Sequence, residues 1–234
     1  MKKVFDNDFK RAFLATVPVF AGYMVLGMGF GVILQSKGYG ILWAFAMSAY
    51  IYAGSMQYLA IDLMSAGASV SATALTTLMV NARHLFYGIS MVDKYKNMGK
   101  RKPYAIFALT DETYSLVCSE ENVRGIENRE KFYFLVSLFN QCYWVAGCVL
   151  GSIIGSLVKF NTEGIDFALT ALFVTVFIEQ WCSTKNHTSA VVGVAVSLAC
   201  LLIFGPDNFL IPAMIGITLA LTFLRRKLEG RENG

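Results

Sequence analysis

The residues of this chain that could do chemistry stand inside apolar runs. Residues 80–90 read VNARHLFYGIS and place Asn81, Arg83 and His84 within four positions, with Tyr87 one turn further on. An arginine at the centre of a membrane helix costs about 2.5–3.5 kcal/mol on insertion scales. Such a residue faces a bundle interior and has a partner. Arg83 lies about ten residues from the charged end of its segment, roughly 15 Å along a helix, which is far for its side chain to reach the interface. At about 100° per residue, Asn81, His84 and Gly88 fall on one stripe and Arg83, Tyr87 and Ser90 on a roughly opposite one. One straight helix cannot aim both at the same cavity. Either the helix loosens here, or one stripe packs while the other meets a ligand.

The counter-charges are Asp111 and Glu112 in TDETY, with Tyr114 beside them. Either acid could pair with Arg83 and titrate, or lie at the interface if its segment is too short to cross. Glu179 and Gln180 form a second polar pair, Glu179 followed by the interface residue type Trp181. In YIYAGSMQYL, Gly54 and Ser55 interrupt an apolar run, and Gln57 follows. A helix break there exposes backbone groups. Arginine or a half-helix N-terminus suits a carboxylate; amide oxygens or a carboxylate suit an ammonium. The set Gly54, Ser55, Gln57, Asn81, Arg83, His84, Tyr87, Tyr114 and Gln180 is therefore compatible with a small zwitterion. Asp111, Glu112 and Glu179 are the candidates for proton coupling or ion pairing.

The 234 residues are 56% hydrophobic and 15% charged, against about 25% charged in soluble domains. Between Ala12 and Val92 the only charged side chains are Lys37, Asp62 and Arg83. A run of roughly 20 apolar residues spans a bilayer, and about eight such segments are discernible. They start near Ala12, Ile41, Ala66, Pro103, Phe132, Ile165, Thr188 and Phe209. The fold class read from this is an all-α polytopic membrane protein, one transmembrane domain over residues 1–234. The net charge of +4 resides at the chain start, at the end and in the loop Lys94 to Lys102. That distribution fits a cytoplasmic membrane surface, not nucleic acid. The five cysteines contain no C-x-x-C pair and read as buried free thiols.

Gly22, Gly27, Gly29 and Gly31 in the first segment let another helix come close. Segments 2 and 6 share a faint pattern, Gly-Ile at the start and Gln-aromatic at the end. This points to two repeats, 12–92 and 132–205. If segments 1 to 3 all crossed, the basic loop would lie opposite the basic N-terminus, against the positive-inside rule. If segment 2 enters and returns, broken at Gly54–Ser55, the loop joins the N-terminus on the cytoplasmic side. The same step at segment 6 brings the C-terminus there too and makes segments 1–3 and 5–7 inverted repeats with re-entrant or broken helices.

YAGSMQY, NARHLFYGIS and DETY, in this order, resemble the AzlC family of branched-chain amino acid permeases. The resemblance covers about residues 8–226. It implies an exporter of branched-chain amino acids (Leu, Val, Ile) and analogues in the bacterial inner membrane. It also implies a small AzlD-like membrane subunit as partner. A passive channel is the alternative, because re-entrant half-helices also build filters. Nothing marks an enzyme. There is no P-loop and no G-x-S-x-G, and neither His84 nor His187 has a ligand-spaced neighbour. No metal or other cofactor is expected.

Overall fold

In a computed structural model of the chain, the residues described are 2–81, 83–157, 174, 177, 178, 181, 182, 187–205 and 209–232. The chain forms two compact units, Met1–Leu169 and Thr170–Gly234. Every regular element among the described residues is helical. Among the described residues, two helices are long and apolar enough to cross a membrane, within α1 (Lys2–Ser36) and at α9 (Arg129–Leu157). Between them lie α2 (Ile41–Ala46) with a π turn (Met47–Ile51), α3 (Gly54–Ser65), α4 (Val70–Val80), α5 (Arg83–Met91), α6 (Lys102–Phe107), α7 (Asp111–Cys118) and the short α8 (Glu120–Val123). The outer surface is apolar: Leu42, Tyr50, Val70 and Ile89 are each more than 70% exposed. Water does not tolerate so many bare large side chains, and lipid does.

The centre of the first unit is the pairing of α1 with α9. Successive contacts advance together along both helices. Phe9 and Phe13 meet Phe139, Phe20 meets Tyr143, and Tyr23 meets Trp144. Ser152 donates to Gln35 Oε1 at 3.0 Å near the far end. The two helices therefore run parallel. An inverted relation between segments 1–3 and 5–7 would set them antiparallel, so an inversion with those bounds does not describe this pairing. Small residues make the contact possible. Gly27 and Gly31 on α1 face Gly147, Cys148, Gly151 and Ser152 on α9, backbone against backbone. Gly29 instead leaves room for the Tyr58 hydroxyl, and Gly22 has no neighbour within 4 Å.

Segment 2 descends and returns. Ala49, in the π turn, accepts a hydrogen bond from Gln141 Nε2 at 3.0 Å. The helix then stops at Tyr52 and Ala53, and Tyr52 adopts a left-handed conformation (φ 46°, ψ 43°). For a residue with a Cβ this costs about 1–2 kcal/mol. The break thus lies just before Gly54, two residues ahead of the Gly54–Ser55 position expected from sequence. From there α3 climbs back along α1: Gly54 touches Trp144, and Tyr58 donates to the Leu26 carbonyl at 2.6 Å and packs on Phe30. Helices α4 and α5 then lead to the other end of the unit, where Met91 is buried with Tyr95, Met98, Ala105, Val117 and Phe132.

Segment 4 makes a second hairpin, entering from that opposite end. Tyr104 donates to Gln141 Oε1 at 2.6 Å and Phe107 lies beside Tyr52, so α6 points inward. The chain turns at Ala108, Leu109 and Thr110, and α7 comes back out, with Thr113 opposite Asn140 and Val117 in the cluster around Phe132. Lys94 Nζ meets the last carbonyls of α7, Val117 O and Cys118 O, both at 3.4 Å. A cation there satisfies orphan acceptors and the helix dipole. Arg11 near the start of α1 donates to the Arg124 carbonyl at 2.6 Å, and Ala12 belongs to the same buried cluster as Tyr95 and Met98. The basic loop and the N-terminal part of α1 consequently share one end of the unit, as charge alone requires.

In the second unit, α10 (Thr188–Phe204) and α11 (Leu210–Glu232) pack together, with Gly216 close to Val196. His187 stacks on Trp181 at 4.1 Å between ring centres. A cleft of about 570 Å³ is lined by Phe177, Trp181, His187, Ser197 and Ile217. All five cysteines are free; Cys148 is buried as expected, whereas Cys142 and Cys182 are exposed.

Candidate functional site

The tips of the two hairpins meet beside α1. Thr110, the N-cap of α7, accepts from Thr113 N at 3.3 Å, which holds the first turn of that helix. The same Thr110 hydroxyl lies 2.8 Å from Tyr23 Oη on α1. Tyr23 also donates to Glu112 Oε2 at 2.6 Å, a short charge-assisted hydrogen bond if the acid is ionised. From the other hairpin, Tyr52 Oη stands within reach of the Tyr23 and Thr110 hydroxyls and near Glu112, though neither contact is a well-aligned hydrogen bond. Its left-handed backbone aims the ring here.

Helix α9 closes the group. Asn140 Nδ2 donates to Thr113 Oγ1 at 3.0 Å, and Trp144 Nε1 donates to Gln57 Oε1 at 2.8 Å. The Trp144 ring crosses Tyr23 edge-on at 5.3 Å and covers Gly54, where an added Cβ would stand 3.2 Å from the indole. Gln57, Thr113 and Asn140 are completely buried. Buried amides normally satisfy both ends, yet Gln57 Nε2 and Asn140 Oδ1 have no partner.

A second group surrounds the opening motif. The helix ends at Val80 and restarts at Arg83, so of the two alternatives left open by the stripes, loosening is seen, as a break at Asn81. The Asn81 carbonyl receives the His84 N–H at 2.9 Å and lies 3.2 Å from His84 Nδ1, while Asn81 Oδ1 is buried and unbonded. His84 meets Tyr87 edge-on at 6.0 Å, and Tyr87 stacks on Tyr114 of α7 at 4.7 Å. Ser90 donates to Tyr114 Oη at 3.2 Å. Helix α7 thus serves both groups, Glu112 and Thr113 in one and Tyr114 in the other. Replacing Tyr87 by Leu removes the stack and lowers stability by about 1 kcal/mol. Tyr114→Phe, which keeps the stack and loses only the Ser90 bond, costs less; thermal unfolding in detergent compares the two.

Of the residues expected from sequence, Gly54, Ser55 and Gln57 stand on the first turns of α3, with Gln57 bonded into the tip cluster alongside Glu112. Asn81, His84, Tyr87 and Tyr114 are together in the second group. Asp111 opens α7. The Arg83 side chain, Glu179 and Gln180 fall outside the described residues. Sequence reasoning missed Tyr23, Tyr52, Thr110, Asn140 and Trp144. The signal for two of them was present: NQCYW puts two amides and an indole inside an otherwise apolar helix. Among the described residues, no three His, Cys, Asp or Glu side chains gather in a way that could hold a metal.

Comparison with known proteins adds a family to this geometry. The AzlC protein family model matches residues 18–158, the stretch holding both hairpins and both polar groups. The chain is 47% identical over 224 residues to the branched-chain amino acid transport protein AzlC of Bacillus subtilis, covering 96% of this chain and 88% of that protein. It is 42% identical to a membrane protein of Helicobacter pylori described as uncharacterized, over 96% of this chain and 98% of the relative. It is also 24% identical to the Escherichia coli inner membrane protein YgaZ, over 77% and 79% of the two chains. No solved structure matches. Family model and full-length relatives agree, and the chain belongs to the AzlC family.

Proposed function

We propose that this chain is a secondary transporter that exports branched-chain amino acids and close analogues, driven by protons. In this reading it works in a bacterial cytoplasmic membrane with a small AzlD-like subunit, both termini being cytoplasmic. The observation that carries the reading is the meeting of two opposed hairpin tips on a half-buried, hydrogen-bonded carboxylate, in a chain 47% identical to a branched-chain amino acid transport protein.

Physical chemistry supports each part. Broken helices place unpaired backbone groups and helix dipoles inside a membrane, where a small polar solute needs them. With the basic loop and N-terminus cytoplasmic, α2–α3 is re-entrant from outside and α6–α7 from inside. The inversion then relates segments 1–2 to segments 3–4: a crossing helix followed by a hairpin, repeated in the opposite sense. Glu112 is the proton carrier, with Asp111 and Glu179 as secondary acids, and Arg83 supplies the compensating cation. A passive channel would share the hairpins, but the hydrogen-bonded plug of Tyr23, Thr110 and Glu112 suits a gated carrier better.

The test is uptake of labelled leucine into proteoliposomes with an imposed pH gradient, for this chain alone and with its small partner. Saturable, gradient-driven flux is expected. Flux that rises linearly with leucine and ignores the gradient would establish the channel instead.

A further inference from the structure

The two hairpin tips present helix N-termini of opposite chemical character. The start of α3 carries no side-chain cap: its N-cap is Ala53, and Gln57 N→Ala53 O, at 2.8 Å, is the first helical bond there. The backbone N–H groups of Gly54 and Met56, in the first turn, precede that bond and have no helical acceptor. No acid stands in this turn. Two side-chain donors stand with it, Gln57 Nε2, buried and unpartnered, and the Tyr52 hydroxyl, 4% exposed for the residue and without a well-aligned hydrogen bond. The start of α7 is the reverse. Thr110 already caps it, and its first turn holds Asp111 and Glu112. Opposite it, Asn140 Oδ1 is a buried acceptor with no donor.

Resting on the transporter reading above, we infer that these tips read the two poles of an amino acid: its carboxylate docks on the α3 N-terminus with Gln57 Nε2 and the Tyr52 hydroxyl, and its ammonium docks between Asn140 Oδ1 and Glu112. An uncapped helix N-terminus with neutral donors is an anion site. A capped, acidic one repels a carboxylate and attracts a cation. The pairing also accounts for the unsatisfied amide atoms, because Gln57 Nε2 is left over on the α3 tip and Asn140 Oδ1 on α9 opposite the α7 tip, and a zwitterion supplies the complement of each. Tyr23, Trp144 and Phe107 bring apolar surface to the same place for the side chain. In the closed arrangement Gln57 and Asn140 are sealed, so the tips part to admit substrate.

Tyr52→Phe and Gln57→Glu test the assignment in proteoliposomes. The first removes a hydroxyl that makes no well-aligned hydrogen bond in the fold and keeps the ring. The second keeps the oxygen that accepts from Trp144 and replaces the unpartnered donor with an anion. Labelled leucine is the substrate, and leucinamide, which has the ammonium but no carboxylate, is the competitor. Each variant raises half-saturating leucine by about tenfold or more, the value of one hydrogen bond to a charged group. Inhibition by leucinamide is unchanged in Tyr52→Phe and strengthened in Gln57→Glu. Equal weakening of both ligands, or no change in leucine affinity, would overturn the assignment while leaving the transporter reading intact. Absence of leucine flux in the wild type would overturn the transporter reading first, and the assignment with it.

Discussion

Glu112→Gln uncouples leucine transport from the proton gradient. A carrier that moves one proton per substrate sustains about tenfold accumulation for each unit of pH difference, and the variant sustains none. Glutamine preserves the geometry, because its carbonyl oxygen can still accept the 2.6 Å bond from Tyr23; it loses the ability to titrate and the negative charge that faces the substrate ammonium, whose neutral acceptors remain. Downhill exchange of labelled for unlabelled leucine therefore persists, at a raised half-saturating leucine concentration, while uphill movement stops. Asp111→Asn has a smaller effect, since it is the Glu112 carboxylate that accepts from Tyr23 at the junction of the tips. Gradient-driven accumulation at wild-type level in Glu112→Gln would remove this acid from the coupling.

Gly151→Ala and Gly31→Ala unseat the α1–α9 pair. A methyl group at 151 runs into the Met28 carbonyl and stands 2.6 Å from its Cα; at 31 it meets Cys148 O and Ser152 N and stands 2.8 Å from Gly151 C. These are backbone atoms, which cannot rotate away as a side chain would. The cost reaches or exceeds the upper end of the roughly 1–3 kcal/mol seen for overpacked cores. Gly22→Ala is the internal control. It faces no atom within 4 Å, and alanine is the better helix former by about 1 kcal/mol. Thermal unfolding in detergent should fall sharply for positions 31 and 151 and hold or rise for 22. Because Tyr23 and Trp144 ride on the same two helices, the first two variants also lose transport.

Much of this architecture could be read from residue patterns, for reasons that are physical. The apolar surface, the basic end and the small residues of α1 answer to single constraints of the bilayer, and each leaves a local mark. Gly54 and Ser55 likewise marked a break. Its true place, Tyr52–Ala53, left none, because the left-handed residue is a tyrosine held by tertiary contacts and not a glycine. Segment 4 was legible as short and acid-bearing, with Pro103 near the start of α6; that it returns from a tip at Thr110 depends on Tyr23, 87 residues away. The glycines of α9 were visible in the sequence but unreadable as a contact until α1 was found running parallel to them. Asn140 and Trp144 acquire meaning only through Thr113 and Gln57, partners that no periodicity links to them. The Arg83 backbone starts a new helix after the break at Asn81, a break that no glycine or proline marks in the sequence.

The central claim is that substrate binds where the hairpin tips meet. Cysteine placed at Ala53 on one tip, at Thr110 on the other and at Val70 on the bare surface of α4 tests it directly. Each variant is labelled with a membrane-permeant maleimide, and labelling is read peptide by peptide so that the native exposed Cys142 and Cys182 are counted separately. Leucine is predicted to change the labelling rate at 53 and 110 with one saturation constant, matching transport, and to leave 70 unchanged. A transport-competent protein whose tip cysteines label at the same rate with and without leucine would place the binding site elsewhere.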